Sequence, residues 1–323
     1  MEHEVVAHVH HGGDIAGIRN EIERTNESRG SDTATENCYH LKNFRGAWVT
    51  SIIVSAPSSV PGWPGDPSYV VFRLDAGMVE VVDTGGPLDE IRRWASVSKM
   101  AVALAFAVEV DWGLHQVSER LGPRGATLAN LLSHSSGLGL EADDPTVEVA
   151  TKRIYSNYGI DLAVAAVVEG NDAGSWLDGR VFTPLGMNST RLDGRPSSGV
   201  IGSTADMQIL AEAWLRPDAI SRDTRNRFIT PYAAHLAGIV PGFGRFSPCP
   251  WGLGPEIRGD KAHWMGDWPP ESFGHFGQSG SLMLLNVEEG IGVVATSTED
   301  FGPWAVGLWP EWTSAMRRLA LAS

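Results

Sequence analysis

Trp94-Ala95-Ser96-Val97-Ser98-Lys99 stands at the junction of two kinds of sequence. Before it, residues 70–83 read as strand and turn. After it, residues 100–110 (MAVALAFAVEV) run almost unbroken in apolar side chains, which reads as a buried helix. A serine at the mouth of such a helix and a lysine one turn further on lie on the same face, so the Lys99 amine can reach the Ser96 hydroxyl. Packed against Met100, Ala103 and Phe106, that amine should lose affinity for its proton and can serve as a base. The chain has only four lysines (Lys42, Lys99, Lys152 and Lys261), and its other permanently basic residues are arginine. Arginine does not deprotonate in a protein, whereas lysine can. A serine three residues before a lysine is nonetheless a common accident, and its meaning depends on partners elsewhere in the chain.

Working outward, residues 69–74 and 78–82 flank Asp75-Ala76-Gly77, a hairpin signal with glycine where a positive φ is needed. Residues 48–56 read as a further strand. Residues 1–44 read as a polar arm with a short helix over 14–24, and residues 23–37 are rich in Ser, Thr, Glu and Asn. His8, His10 and His11 with Asp14 faintly suggest metal ligands, but no further regularly spaced His or Asp completes such a set, so no metal or other cofactor is expected. On the C-terminal side, helices are expected over 127–134, 157–169, 176–182, 204–215 and 223–229. Strands are expected over 251–257, 280–287 and 290–297, with a closing helix over 310–322. Strands near both ends and helices between them indicate an α/β (α+β) fold. Its sheet lobe comprises residues 45–99 and 200–323, and a helical lobe covers residues 100–199, with the cleft between them as the place for a site.

A net charge of −14 and a pI near 5.1 argue against nucleic acid and anionic membrane surfaces as partners. The same field mildly repels anionic substrates. Cys38 and Cys249 are the only cysteines; they allow one disulfide, but nothing in their spacing suggests a disulfide framework or a metal site. No basic segment followed by an apolar one opens the chain and no run has membrane-spanning length, so a cytoplasmic location is expected.

Three further segments give Ser96 and Lys99 their context: Tyr155-Ser156-Asn157 just before a helix, His275-Phe276-Gly277-Gln278 entering a strand, and the framing run LLSHSSGL at 131–138. Taken singly, Tyr155 reads as a half-buried structural tyrosine, Asn157 as a helix N-cap and His275 as a hydrogen-bonded strand-end histidine. His134 reads as a residue holding a turn, and Ser98 and Ser156 as spacers. Together, the order Ser-x-x-Lys, Tyr-x-Asn, His-x-Gly resembles the serine β-lactamase and penicillin-binding-protein superfamily. The nearest branch holds class C β-lactamases, D-Ala-D-Ala carboxypeptidases, D-aminopeptidases and related esterases. VFTPLGMNST (182–190) and GHFGQSGS (274–281) also resemble that branch, and the likeness extends over roughly residues 68–300.

The resemblance implies a β-lactamase/transpeptidase-like fold, an antiparallel sheet flanked by N- and C-terminal helices. It implies a serine hydrolase working through an acyl-enzyme on a small-molecule or peptide substrate. Ser96 would be the nucleophile and Lys99 the neutral amine that takes its proton. Tyr155 would relay that proton, Asn157 would hydrogen-bond Lys99 and substrate, and His275 would place a polar, potentially charged group near Tyr155. The backbone N–H groups of Ser96 and Gln278 would hold the oxyanion, and Gly277 would let substrate approach the strand.

Two departures bear on substrate. Phe276 stands where many members carry a hydroxyl residue for a substrate carboxylate, which favours an ester, an amide or a substrate without a carboxylate, unless Ser279 or an arginine compensates. Only 59 positions separate Ser96 from Tyr155, which implies a trimmed helical lobe. The expected activity is therefore esterase-like or D-amino-acid amidase-like. The alternatives are a β-lactamase or D-Ala-D-Ala carboxypeptidase proper, or a non-catalytic binding protein on the same fold. The Trp264–Trp268 segment is read either as pocket lining or as a surface loop.

Overall fold

A computed structural model describes residues 62–168, 172–216 and 218–323. The expected arm, the helix at 14–24, the strand at 48–56, the early histidines and Cys38 lie outside these residues.

The organising layer is a six-stranded sheet built from both ends of the described chain. Its strands are β1 (Ser68–Asp75), β2 (Met78–Gly85), β8 (Glu256–Ile257), β9 (Phe273–Phe276), β10 (Leu282–Asn286) and β11 (Ile291–Thr296), in the order β2-β1-β11-β10-β9-β8. Every pairing is antiparallel. Ala76 and Gly77 both have positive φ (48° and 83°), the two-residue geometry that matches strand twist in a tight hairpin. The remaining strands are short: β3 (Arg92–Arg93), β4 (Arg191–Leu192) and β5 (Val200–Gly202) form one small sheet, and β6 (Gly238–Val240) and β7 (Gly244–Phe246) form another.

Side chains alternate across the sheet, and both faces are covered. Val70, Phe72, Phe273, Met283, Leu285 and Val294 face one core, shared with α1 (Ser98–Asp111) and α6 (Thr204–Leu215). Tyr69, Val71, Leu282, Leu284, Ile291, Val293 and Ala295 face a second core under α8 (Pro303–Ala322). Burial on both faces is why the β10 and β11 sequences run apolar instead of alternating with polar residues. Helix α1 is buried from Ser98 to Glu109. An all-round apolar helix must be enclosed in this way, and α1 lies among α4 (Ala173–Leu177), α6, α7 (Arg222–Ile229) and β9.

Several expected elements match closely. Helix α6 spans Thr204–Leu215 with Ser203 as its cap, and α2 (Leu128–Leu132) is capped by Thr127. Helix α3 is Asn157–Val167. Others differ. The closing helix starts at Pro303, not Pro310: Ala305, Trp309 and Trp312 form one buried face that spans Pro310 and carries the helix through it. The helix expected over 176–182 does not end there; the helical run continues through α5 (Thr183–Leu185), which contains Pro184. Residues 251–257 are mostly a turn, because Gly252, Gly254 and Pro255 reverse the chain and Trp251 Nε1 donates to the Gly254 carbonyl (2.9 Å). Trp264 and Trp268 are neither surface nor cleft. Both are fully buried in the second core, donating to Glu256 and to the Thr313 carbonyl respectively. Among the described residues no helix is long and apolar enough to cross a membrane.

Candidate active site

Ser96 lies in a single 3-10 turn (Ala95–Val97) that leads into α1. Three-residue periodicity places residue i+3 directly above residue i, and Lys99 Nζ is 3.0 Å from Ser96 Oγ. The turn is held from several sides. Ala95 takes a left-handed φ of 43°, a conformation that costs about 1 kcal/mol for a residue with a Cβ. Ser281 Oγ donates to the Trp94 carbonyl and Ser279 Oγ to the Arg93 carbonyl, each at 2.7 Å, and the buried Trp94 indole donates to Gly202 O (3.1 Å). A Cβ on Gly277 would overlap the Trp94 carbonyl and crowd the Ala95 methyl. Glycine here permits close contact between the end of β9 and the Ser96 turn. That contact sets the Gln278 backbone beside the Ser96 turn, and Phe301 N–H pins it by donating to Gln278 O (2.8 Å). Ser279, bonded to Arg93 and Ser281 and nearly buried, is already occupied and is not free to replace the hydroxyl missing at Phe276.

Tyr155 and Asn157 flank Ser156, the N-cap of α3. Ser156 Oγ accepts from Gly159 N–H (2.9 Å) and donates to Gly139 O (2.5 Å). Ser156, read from sequence as a spacer, is thus the cap that the residue-by-residue reading gave to Asn157. Ser98, also read as a spacer, accepts from Val200 N–H (2.9 Å) and ties α1 to β5. Capping by Ser156 frees the Asn157 amide, whose Oδ1 accepts from Lys99 at 2.9 Å. On the other side of Ser96, Tyr155 OH donates to Oγ at 2.6 Å. The segment is fixed by the buried Arg153, whose guanidinium donates to the carbonyls of Cys249, Ser133, Tyr232 and Ala233.

The Tyr155 ring is surrounded by His134 (4.6 Å between centroids), His275 (5.8 Å) and Trp251 (6.0 Å). Both histidines are buried, and each has one ring nitrogen committed. His134 Nδ1 accepts from Ser156 N–H (3.1 Å), and His275 Nδ1 donates to Phe276 O (2.7 Å). Burial, reinforced by the nearby Lys99, pushes His275 down to about 3 and His134 well below the usual imidazole value. His275 is therefore neutral near pH 7, a polar and uncharged neighbour of Tyr155. Phe276 faces the opposite side of the sheet from His275. Its ring is 7 % exposed and packs against Phe243, Trp264, Phe301 and Trp309. It belongs to the second core.

Lys99 is completely buried and makes three polar contacts: Ser96 Oγ, Asn157 Oδ1 and Ser197 O (2.8 Å). Two of these are carbonyl oxygens that can only accept. They take the two hydrogens of a neutral amine, which leaves its lone pair directed at Ser96 Oγ. Burial pulls the Lys99 ammonium down from its ordinary value to about 7, against the opposing pull of Asp161. Burial pushes the Tyr155 phenol well above its ordinary value, despite the hydrogen bond to Ser96.

The β-lactamase family model matches residues 76–311 of this chain. A β-lactamase from Mycobacterium bovis is 35 % identical, with 80 % of this chain and 97 % of that one covered at a TM-score of 0.74. The chain belongs to the β-lactamase family. More distant members of the fold include a mutant form of the simvastatin synthase LovD from Aspergillus terreus (16 % identity, TM-score 0.62, covering 79 % of this chain and 93 % of that one). A β-lactamase/D-alanine carboxypeptidase from Yersinia pestis is 19 % identical with a TM-score of 0.62, covering 79 % of this chain and 92 % of that one. No functionally curated protein matches the sequence.

Within the β-lactamase fold, five sequence-selected side chains, those of Ser96, Lys99, Tyr155, Asn157 and His275, converge on one place. Trp251, Arg153, Ser197 and a charged set formed by Glu141, Asp161 and Arg195 were not legible there. Asp161 lies on α3 and the others come from turns and loops without a periodic pattern, and only the fold brings them to the cluster. Among the described residues, no group of three or more His, Cys, Asp or Glu side chains could hold a metal ion.

Proposed function

We propose that the protein is a serine hydrolase that forms an acyl-enzyme on Ser96 with an ester or amide substrate. The observation that carries this reading is Ser96 Oγ held between Lys99 Nζ at 3.0 Å and Tyr155 OH at 2.6 Å, with a buried amine whose affinity for protons is low enough to act as a base near neutrality. Lys99 takes the Ser96 proton as Oγ attacks the carbonyl carbon. The N–H groups of Ser96 and Gln278 receive the developing oxyanion. As the tetrahedral intermediate collapses, Tyr155 donates its phenolic proton to the leaving oxygen or nitrogen and is reprotonated from Lys99, which restores a neutral amine. Water repeats the sequence on the acyl-enzyme. With His275 neutral near pH 7, the motif on β9 offers no positive charge to a substrate carboxylate, which favours esters and amides lacking one.

The test is p-nitrophenyl ester turnover with mass spectrometry of the protein. Wild type should turn over and carry an acyl adduct on Ser96, and Ser96→Ala should show neither. Turnover that survives Ser96→Ala would reject Ser96 as the nucleophile, and a wild type with neither turnover nor adduct would return the non-catalytic reading. A β-lactam substrate is the second reading, favoured by the 35 % identity to the M. bovis β-lactamase. It requires a penicilloyl adduct on Ser96, and ester turnover without any such adduct would exclude it.

A further inference from the structure

Both carbonyl oxygens that grip Lys99 are themselves held from outside the cluster by one charged triad. Asn157 Nδ2 donates to Glu141 Oε1 at 3.0 Å. A carboxylate can only accept, so Glu141 fixes which end of the Asn157 amide faces Lys99. Ser197, whose carbonyl accepts from Lys99, donates its own N–H to Asp161 Oδ1 (2.8 Å) and its hydroxyl to Oδ2 (3.1 Å). Arg195 closes the figure, donating to Glu141 Oε2 (2.6 Å) and, through Nε, to Asp161 Oδ2 (2.7 Å). The side chains of Arg195 and Glu141 are 49 % and 44 % exposed and that of Asp161 is 18 % exposed, while Lys99 is buried. A buried amine is thus connected to three surface charges by two bridges of one residue each.

We infer that Glu141, Asp161 and Arg195 are positioning residues that set the proton affinity of the Lys99 amine, Glu141 acting through Asn157 and Asp161 through Ser197. The inference builds on the proposed role of Lys99 as base but is measurable without turnover. The carboxylates favour the ammonium form and the guanidinium opposes it. The hydrogen bond from Asn157 keeps the Glu141 carboxyl below its ordinary range, so Glu141 is charged throughout the relevant window. The other titratable groups around Lys99 are Tyr155, His134 and His275, all uncharged near neutrality. The triad is therefore the standing charge near the amine. A triad that merely pinned its loops would loosen them when cut, and would have no reason to move Lys99 in opposite directions for opposite charges.

With only four lysines in the chain, the full-length protein labelled with [13Cε]lysine gives few resonances, and Lys99 is assigned by its loss in Lys99→Met. Its titration is followed in wild type, Glu141→Gln, Asp161→Asn and Arg195→Met. A wild-type midpoint close to about 7 is expected. It should fall by about 0.3–1 pH unit in Glu141→Gln and Asp161→Asn, and rise by a similar amount in Arg195→Met. Shifts of the same sign for carboxylate and guanidinium variants, or midpoints unmoved in all three, would overturn the inference. Thermal melts of the same samples establish that each variant is folded. Opposite shifts in a protein without ester turnover would uphold the triad and reject the hydrolase reading. Turnover with unmoved midpoints would do the reverse.

Discussion

At the scale of single residues, the division of labour around Ser96 follows from what burial does to two neighbouring groups. It destabilises the charged form of each, so it makes lysine a better base and tyrosine a poorer one. Lys99, at about 7, is half neutral near pH 7, while Tyr155 stays a phenol that can only give its proton first. Ester kcat/KM should therefore rise with pH through a midpoint near 7, and Tyr155→Phe should lower it by about 10²–10⁴-fold without moving that midpoint. A pH–rate series on both proteins checks this, and an acid limb that vanishes in Tyr155→Phe would assign it to the wrong group. The same burial has a cost in stability. The Lys99 amine titrates near 10.5 in the unfolded chain and near 7 in the folded one, so between these values the unfolded chain binds more protons. Its contribution to stability is full above about 10.5 and is lost as pH falls to about 7. Lys99→Met removes this dependence. In urea titrations it should be more stable than wild type near neutrality, with the difference shrinking toward pH 10.

At the scale of elements, the decisive contact joins the β9–β10 turn to the Ser96 turn, and its tightness depends on Gly277. Gly277→Ala forces a methyl against the Trp94 carbonyl and Ala95, which must move Ser96 or open the end of β9. The expected loss is about 2–4 kcal/mol in urea unfolding, with ester turnover reduced at least tenfold. An alanine variant of wild-type stability and activity would show that the contact relaxes freely. This contact also marks what sequence could and could not tell. Gly277 is visible in the His-x-Gly motif, but its partner Trp94 lies far away in the chain and only the fold brings the two together. The α6 helix, the β1–β2 hairpin and the α1 run were legible because local period, caps and turn residues agree there. The extended start of α8 was not, since Pro303 and Pro310 are equally good helix openers and tertiary packing of Trp309 chooses between them. Trp251 was placed in a strand on local preference, and the glycines around it turn the chain instead. The orientation of Phe276 was hidden too: strand alternation puts it opposite His275, but only with the second core known is that side filled with aromatic rings.

At the scale of the whole molecule, the two cores and the site share a response to acid. His134 and His275 are buried neutral beside Tyr155, with folded pKa values below the free imidazole value. The unfolded chain takes up these protons first. Their contribution to stability is full above about 6.5 and is lost as pH falls, for His275 until about 3. Buried Glu256 anchors the turn before β8 to the Trp264 segment, receiving Lys261 Nζ, His263 Nε2 and Trp264 Nε1, each at 2.9 Å. Burial alone would raise its pKa, but Lys261 and His263 outweigh it and hold the carboxyl far below its usual range, so its contribution too is lost as pH falls below about 4.5. The effects add in the same direction but begin at different pH. Burial raises the Glu212 carboxyl to about 7, so between about 7 and 4.5 it offsets one proton's worth of this loss. Unfolding free energy from urea titrations should therefore fall below pH 6.5 with a net slope approaching about 1.4 kcal/mol per pH unit, two histidines against one carboxyl. In His275→Asn, whose amide can still donate to the Phe276 carbonyl, the slope between about pH 5 and 6 should drop by about one proton's worth while the steeper fall below 4.5 persists. Glu256→Gln should cost about 3–5 kcal/mol at neutral pH, because it leaves Lys261 buried without a counter-charge. Stability that stays level from pH 7 to 5 in wild type would mean that the two imidazoles take up protons without unfolding the chain, and that the aromatic enclosure of Tyr155 opens more easily than its packing implies.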